Sequence, residues 1–166
     1  MMRRVLAAAP LLLAACGPGP TPVGAGTGLE LVLSRAYVDR LGSFQVAVVS
    51  GADRLNADEV ERTCLSTQGL TFVKQEDEKG RKVNARLFPA QLTGGQQELK
   101  LTGLPFGSEY LFVVEAISSD AAPVLLGSGS ARLQSFSADT RLPPISVNGL
   151  QGADGGTGPS CDPVIR

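Results

Sequence analysis

Short runs of alternating apolar and polar residues dominate the chain from Gly28 onward. In Leu29-Glu30-Leu31-Val32-Leu33 the leucines fall at every second position, which sets all three on one face of a strand. Phe44-Gln45-Val46-Ala47-Val48-Val49 repeats the alternation, with Phe44, Val46 and Val48 pointing one way. Arg40-Leu41-Gly42-Ser43 lies between them as a turn candidate, so the two runs are expected to pair as a hairpin. The period then changes. Asn56-Ala57-Asp58-Glu59 reads as a helix start, with Asn56 as cap and the acids at the positive end of the helix dipole. This helix is expected to end near Cys64-Leu65 and to set Cys64 against the sheet edge.

Residues 74–82 (Lys-Gln-Glu-Asp-Glu-Lys-Gly-Arg-Lys) form a charge run around a glycine and read as an exposed loop between strands at 70–73 and 84–88. Pro89 confines the second of these strands to an edge or an early end. Further strands are expected at 124–126 and 130–136, split by Gly127-Ser128-Gly129. From Gly149 the chain is glycine-rich and lacks the apolar surface to order itself. Residues 17–27 (Gly-Pro-Gly-Pro-Thr and onward) likewise read as a leash, reaching on the order of 20 Å as a flexible coil.

The densest pattern lies in residues 99–116. A strand enters a corner at Gly103-Leu104-Pro105-Phe106-Gly107, and a second strand leaves with Tyr110, Phe112, Val114 and Ala116 on one face. This stretch resembles the E-to-F region of fibronectin type III and related immunoglobulin-like sandwiches. In that family a leucine plugs the core, a Pro-x-Gly turn follows, and a tyrosine opening the next strand bonds back across the corner. Leu104, Pro105, Gly107 and Tyr110 stand at those positions. The chain has no tryptophan, so the family's buried core Trp is missing. The resemblance implies an all-β, Ig-like antiparallel β-sandwich over 28–148 with one short helix.

The amino-terminal pattern is of another kind. Arg3 and Arg4 precede an apolar run over residues 5–15, too short for a membrane span of about 20 residues, and the run ends in Leu13-Ala14-Ala15-Cys16. The exit resembles the lipobox of bacterial lipoproteins. That resemblance implies a signal peptide over 1–15, lipidation of Cys16 and a tether over 16–27. Cys16 being incidental to an ordinary secretory signal is the alternative. Gly17 after the cysteine favours, by the same resemblance, the outer membrane, on its periplasmic or surface face. One acyl chain holds marginally and two or more hold stably.

Loss of 15 residues would leave about 150 of the 166, enough for one domain. Loss of two arginines leaves 13 basic against 16 acidic residues, a net charge of about −3, with no basic stripe for nucleic acid. Of three cysteines, Cys16 is the lipid candidate, which leaves Cys64 and Cys161. In an oxidising compartment these most simply form one disulfide, with free thiols or an intermolecular bridge as alternatives. Closing a loop of about 100 residues stabilises by roughly 4.7 kcal/mol at most.

The absence of histidine removes Ser-His-Asp and Cys-His catalysis and any His-ligated metal. Glu76-Asp77-Glu78 offers carboxylates for glycoside or calcium chemistry, but Lys74, Lys79, Arg81 and Lys82 interleave with them, as on a solvated loop. No metal, cofactor or catalytic residue is expected. The expected role is a non-catalytic binding or accessory module for another envelope protein, held to the membrane by its N-terminal lipid. The alternative is a carbohydrate- or peptidoglycan-binding surface module, which requires Tyr37 and Phe106 on one exposed face.

Overall fold

A computed structural model of the chain describes residues 27–33, 35–51, 56–60, 63–65, 70–105, 109–135, 137 and 142–150. The expected signal peptide, Cys16, Gly107, Cys161 and most of the tail lie outside these residues. The elements in chain order are β1 (Thr27–Leu33), a 3-10 helix (Arg35–Arg40), β2 (Leu41–Ser50), α1 (Ala57–Val60), β3 (Gln75–Glu76) and β4 (Lys82–Val83). They continue with β5 (Ala85–Pro89), β6 (Gln96–Leu101), β7 (Tyr110–Ser118), β8 (Leu125–Leu133) and β9 (Ile145–Gly149). The described fold is all-β apart from the two short helical turns.

Seven strands form one sheet in the order β5-β2-β7-β8-β9-β1-β6, while β3 and β4 make a separate hairpin. The pairings in the large sheet are antiparallel except that of β1 with β9, which is parallel. The sheet is therefore mixed, and it curls until its two edges nearly meet. Across that seam Arg86 Nη1 donates to the Lys100 carbonyl at 3.0 Å and Gln97 Nε2 to the Pro89 carbonyl at 3.0 Å. Gln97 Oε1 in turn accepts from the Gln91 N–H at 2.6 Å. Side chains, not a strand ladder, close the barrel.

Inside it, Leu31 and Leu33 of β1, Leu99 and Leu101 of β6, and Ile145 and Val147 of β9 pack against Phe44, Val46, Val48, Phe112 and Val114. These are the alternating apolar faces of the sequence, folded towards one another. At about 25 cal/mol per Å2 of apolar surface, burying each large side chain contributes roughly 1.5–3 kcal/mol.

Several expectations are corrected. β1 and β2 do not form a hairpin: β1 pairs with β6 and β9, and β2 with β5 and β7. The physical reason is that residues 44–49 are all buried, so β2 needs a neighbour on each edge and cover on each face. The 3-10 helix turns the chain back at one end of the sheet but sets β2 between β5 and β7 instead of beside β1. The helix expected up to Cys64-Leu65 is the four-residue α1 where described, and Cys64 and Leu65 have left-handed φ values of 53° and 56°. The charged run is not structureless: β3 and β4 pair around it, and the Asp77 carboxylate accepts from the N–H groups of Lys79 and Arg81.

Gly127-Ser128-Gly129 does not split two strands. β8 continues through it, with one register shift against β7 near its start, and lies so close to β9 that a Cβ at Gly129 would sit 2.2 Å from the Ser146 carbonyl oxygen. Glycine here allows a close approach. Gly149 belongs to β9, and Leu150 packs beside Cys64, Ile117 and Leu125.

Register fixes two ends. Thr27, Leu101, Tyr110, Leu133 and Ser50 lie at one; Leu33, Gln96, Ser118, Leu125, Leu41 and Gly149 lie at the other. At this second end Arg40 pairs with Asp120 at 2.7 Å, and the Arg40 carbonyl accepts from the Ser119 N–H at 2.8 Å. The Arg40 side chain holds the Asp120 carboxyl below its ordinary range.

Candidate functional site

β7 is buried along its whole length on both faces. Its inner face is the expected Tyr110, Phe112, Val114 and Ala116 series. Its outer face carries Leu111 and Val113, covered by Val60 and Leu65 from the excursion between β2 and β3. The next residue on that outer face is Glu115. A carboxyl in such a place demands partners, since an isolated buried charge is strongly unfavourable.

Register supplies the first of them. Gln45 of β2 lies opposite Glu115, and Ser128 of β8 lies opposite it on the other side. The row extends to Leu87 of β5 and Asn148 of β9. Gln45, Glu115 and Ser128 are buried, whereas Asn148 is exposed and Leu87 is 46% exposed. Gln45, Glu115 and Ser128 thus form a buried polar row across three adjacent strands of the outer face.

Loop 63–65 supplies the rest. The Thr63 N–H donates to Glu115 Oε1 at 3.2 Å, and the N–H groups of Leu65 and Cys64 donate to the same carboxyl. Gln45 Nε2 donates to Glu115 Oε2 at 3.4 Å and to the Cys64 carbonyl at 3.2 Å. Cys64 and Leu65 both adopt left-handed φ in this turn, which brings successive amides onto one carboxyl. Those conformations cost about 1–2 kcal/mol each for residues other than glycine. The carboxyl and the loop therefore hold one another.

Burial is the largest influence on Glu115 and pushes its pKa from 4.5 up to about 7, against the lowering effect of the donors from Thr63, Leu65, Gln45 and Cys64. Gln45 Oε1 is buried with no hydrogen-bond partner among the described residues. Gln75, also buried, donates through Nε2 to the Val46 carbonyl at 3.2 Å, and its Oε1 is likewise unpartnered among them. Chemically, the site is a proton-binding carboxyl in a buried polar cluster. Among the described residues no group of three or more His, Cys, Asp or Glu could hold a metal.

The residues singled out from sequence fall elsewhere. Leu104 is buried in the core, Tyr110 Oη donates to the Pro105 carbonyl at 2.8 Å, and Gly107 lies outside the described residues. Glu76 pairs with Lys82, and Asp77 with Arg81, whose backbone N–H holds the Asp77 carboxyl low. Cys64 is buried; Cys16, Cys161, Phe106 and the Tyr37 side chain lie outside the described residues. Sequence reading missed Gln45 and Glu115. The signal was there: each is a lone polar residue inside an apolar run, Phe-Gln-Val and Val-Glu-Ala.

No family model, no curated protein and no solved structure matches the chain.

Proposed function

We propose that the chain is a lipid-anchored envelope protein whose barrel serves as a non-catalytic binding or accessory module for another envelope protein. Residues 1–15 are the signal, Cys16 carries the lipid, 16–27 are the tether, and 28–148 fold as an Ig-like domain. The Leu13-Ala14-Ala15-Cys16 exit carries this reading. With the tether entering β1 at Thr27, the far end of the barrel presents the 3-10 helix and loops 90–95 and 119–124 away from the membrane. The outer membrane is the destination that Gly17 favours.

The Ig-like part of the reading is supported by the buried Leu104 and the Tyr110 bond to Pro105. The parallel β1–β9 pair departs from the family's two antiparallel sheets. Pairing of Cys64 with Cys161 is part of the same reading. Leu150, which leaves β9 beside Cys64 only eleven positions before Cys161, supports it.

Crosslinking of the native protein in its own cells, with co-purified proteins identified by mass, tests the role. One stoichiometric envelope partner is the expected result. Recovery of the protein alone, or crosslinked to glycan, rejects the accessory role and favours the carbohydrate- or peptidoglycan-binding module.

A further inference from the structure

We propose that Glu115 and loop 63–65 form a proton-dependent latch over the outer face of the β2–β7 pair, closed when the carboxyl is protonated and loosened when it ionises. The inference rests on the fold and is independent of the lipoprotein reading. Its basis is geometric. The carboxyl is buried and anchors the loop to the sheet together with Gln45, and Leu65 of the loop packs with Ala47, Val49, Leu111 and Val113.

Among the described residues, no cation is found in the groups that hold the carboxyl. β2 presents Gln45, the loop presents backbone amides and Cys64, and the cross-strand neighbour on β8 is Ser128. Glu61 and Arg62, beside the loop in sequence, lie outside the described residues. A neutral carboxyl also brings a donor next to Gln45, whose Oε1 lacks one. The sign follows. A site that binds the proton more tightly closed than open must open as pH rises. Opening withdraws Leu65 from the apolar cluster on the outer face, while Val60, Leu70 and Phe72 pack on that cluster from outside the loop.

Amide exchange at Thr63, Cys64 and Leu65 in the purified full chain tests this, followed from pH 6 to 8 and corrected for base catalysis. Protection should fall roughly tenfold, as expected for a carboxyl titrating at about 7 when closed and at 4.5 when open. Exchange should also be nearly insensitive to low urea, as for opening of the loop alone. Glu115→Gln keeps a neutral group in place and should flatten the pH dependence, separating the carboxyl from the charges of Glu61 and Arg62. Protection unchanged across the range in the unmodified chain overturns the latch, and so does an equal slope in the Gln variant. Exchange that follows urea as global unfolding does also overturns it.

Discussion

The Tyr110 hydroxyl donates to the Pro105 carbonyl at 2.8 Å, closing the corner between β6 and β7 while the Tyr110 ring meets Phe112 edge-on at 6.2 Å. Ring and hydroxyl do different work: one fills the core, the other bonds the Pro105 carbonyl across the corner. Tyr110→Phe keeps the first and removes the second. It should destabilise the fold by about 1–1.5 kcal/mol. Urea unfolding reads this as a lower midpoint at unchanged slope, and an unchanged midpoint would show that the hydroxyl is energetically idle.

Gly129 is a sharper case. The atom that its missing Cβ would meet is the Ser146 backbone oxygen, 2.2 Å away, with Ile145 Cγ2 and the Ser146 carbonyl carbon each at 3.0 Å. Backbone cannot rotate aside as a side chain does. Gly129→Ala should therefore cost at the upper end of the overpacking range, about 3 kcal/mol, and loosen β9 from β8. Gly94→Ala is the comparison: no atom lies within 4 Å of its Cβ, but φ is +62°, so about 1 kcal/mol of backbone strain is expected. Thermal melts of the two variants should rank them in that order.

Whole-domain stability should depend on pH through Glu115. Its folded pKa lies above its unfolded one, so its contribution is complete below about pH 4.5 and is lost as pH rises through about 7. Between pH 5 and 8 the loss should be about 2–3 kcal/mol, and Glu115→Gln should remove it. Asp77 and Asp120 act oppositely and lower down. Hydrogen bonds from the Arg81 N–H and the Arg40 side chain lower their pKa values, so their contributions are present above the ordinary carboxylate range and lost as pH falls. Chemical unfolding at pH 3, 5 and 8 separates the two windows.

Two changes outside the barrel test the anchor and the staple. Cys16→Ser should leave the chain unprocessed or released from membranes; unchanged membrane fractionation and processing would reject lipidation. Intact mass of the unreduced mature protein should lie two hydrogens below the dithiol form. Two alkylatable thiols at Cys64 and Cys161 would exclude the bridge.

Local chemistry made much of this fold legible in the chain itself. A period of two in residues 29–33 and 44–48 marks strands wherever they pair, and Pro89 has no N–H to offer a second neighbour, in keeping with β5 as an edge strand that ends there. The corner residues Leu104, Pro105 and Tyr110 lie within seven positions, close enough for sequence to specify their contact. What these signals share is short range along the chain.

Partnership between strands is another matter, because alternation states that a face is buried and not against what. Only the tertiary structure separated β1 from β2, paired β1 in parallel with β9 and covered the outer face of β7 with a loop from far upstream. That cover changed Glu115 from the polar member of an alternating strand into a buried acid, since the charge of a carboxyl depends on how much water its neighbours leave it. The sequence by itself determined the alternating faces of the long strands and the 103–110 corner; long-range packing decided strand partners and which residues lost their water.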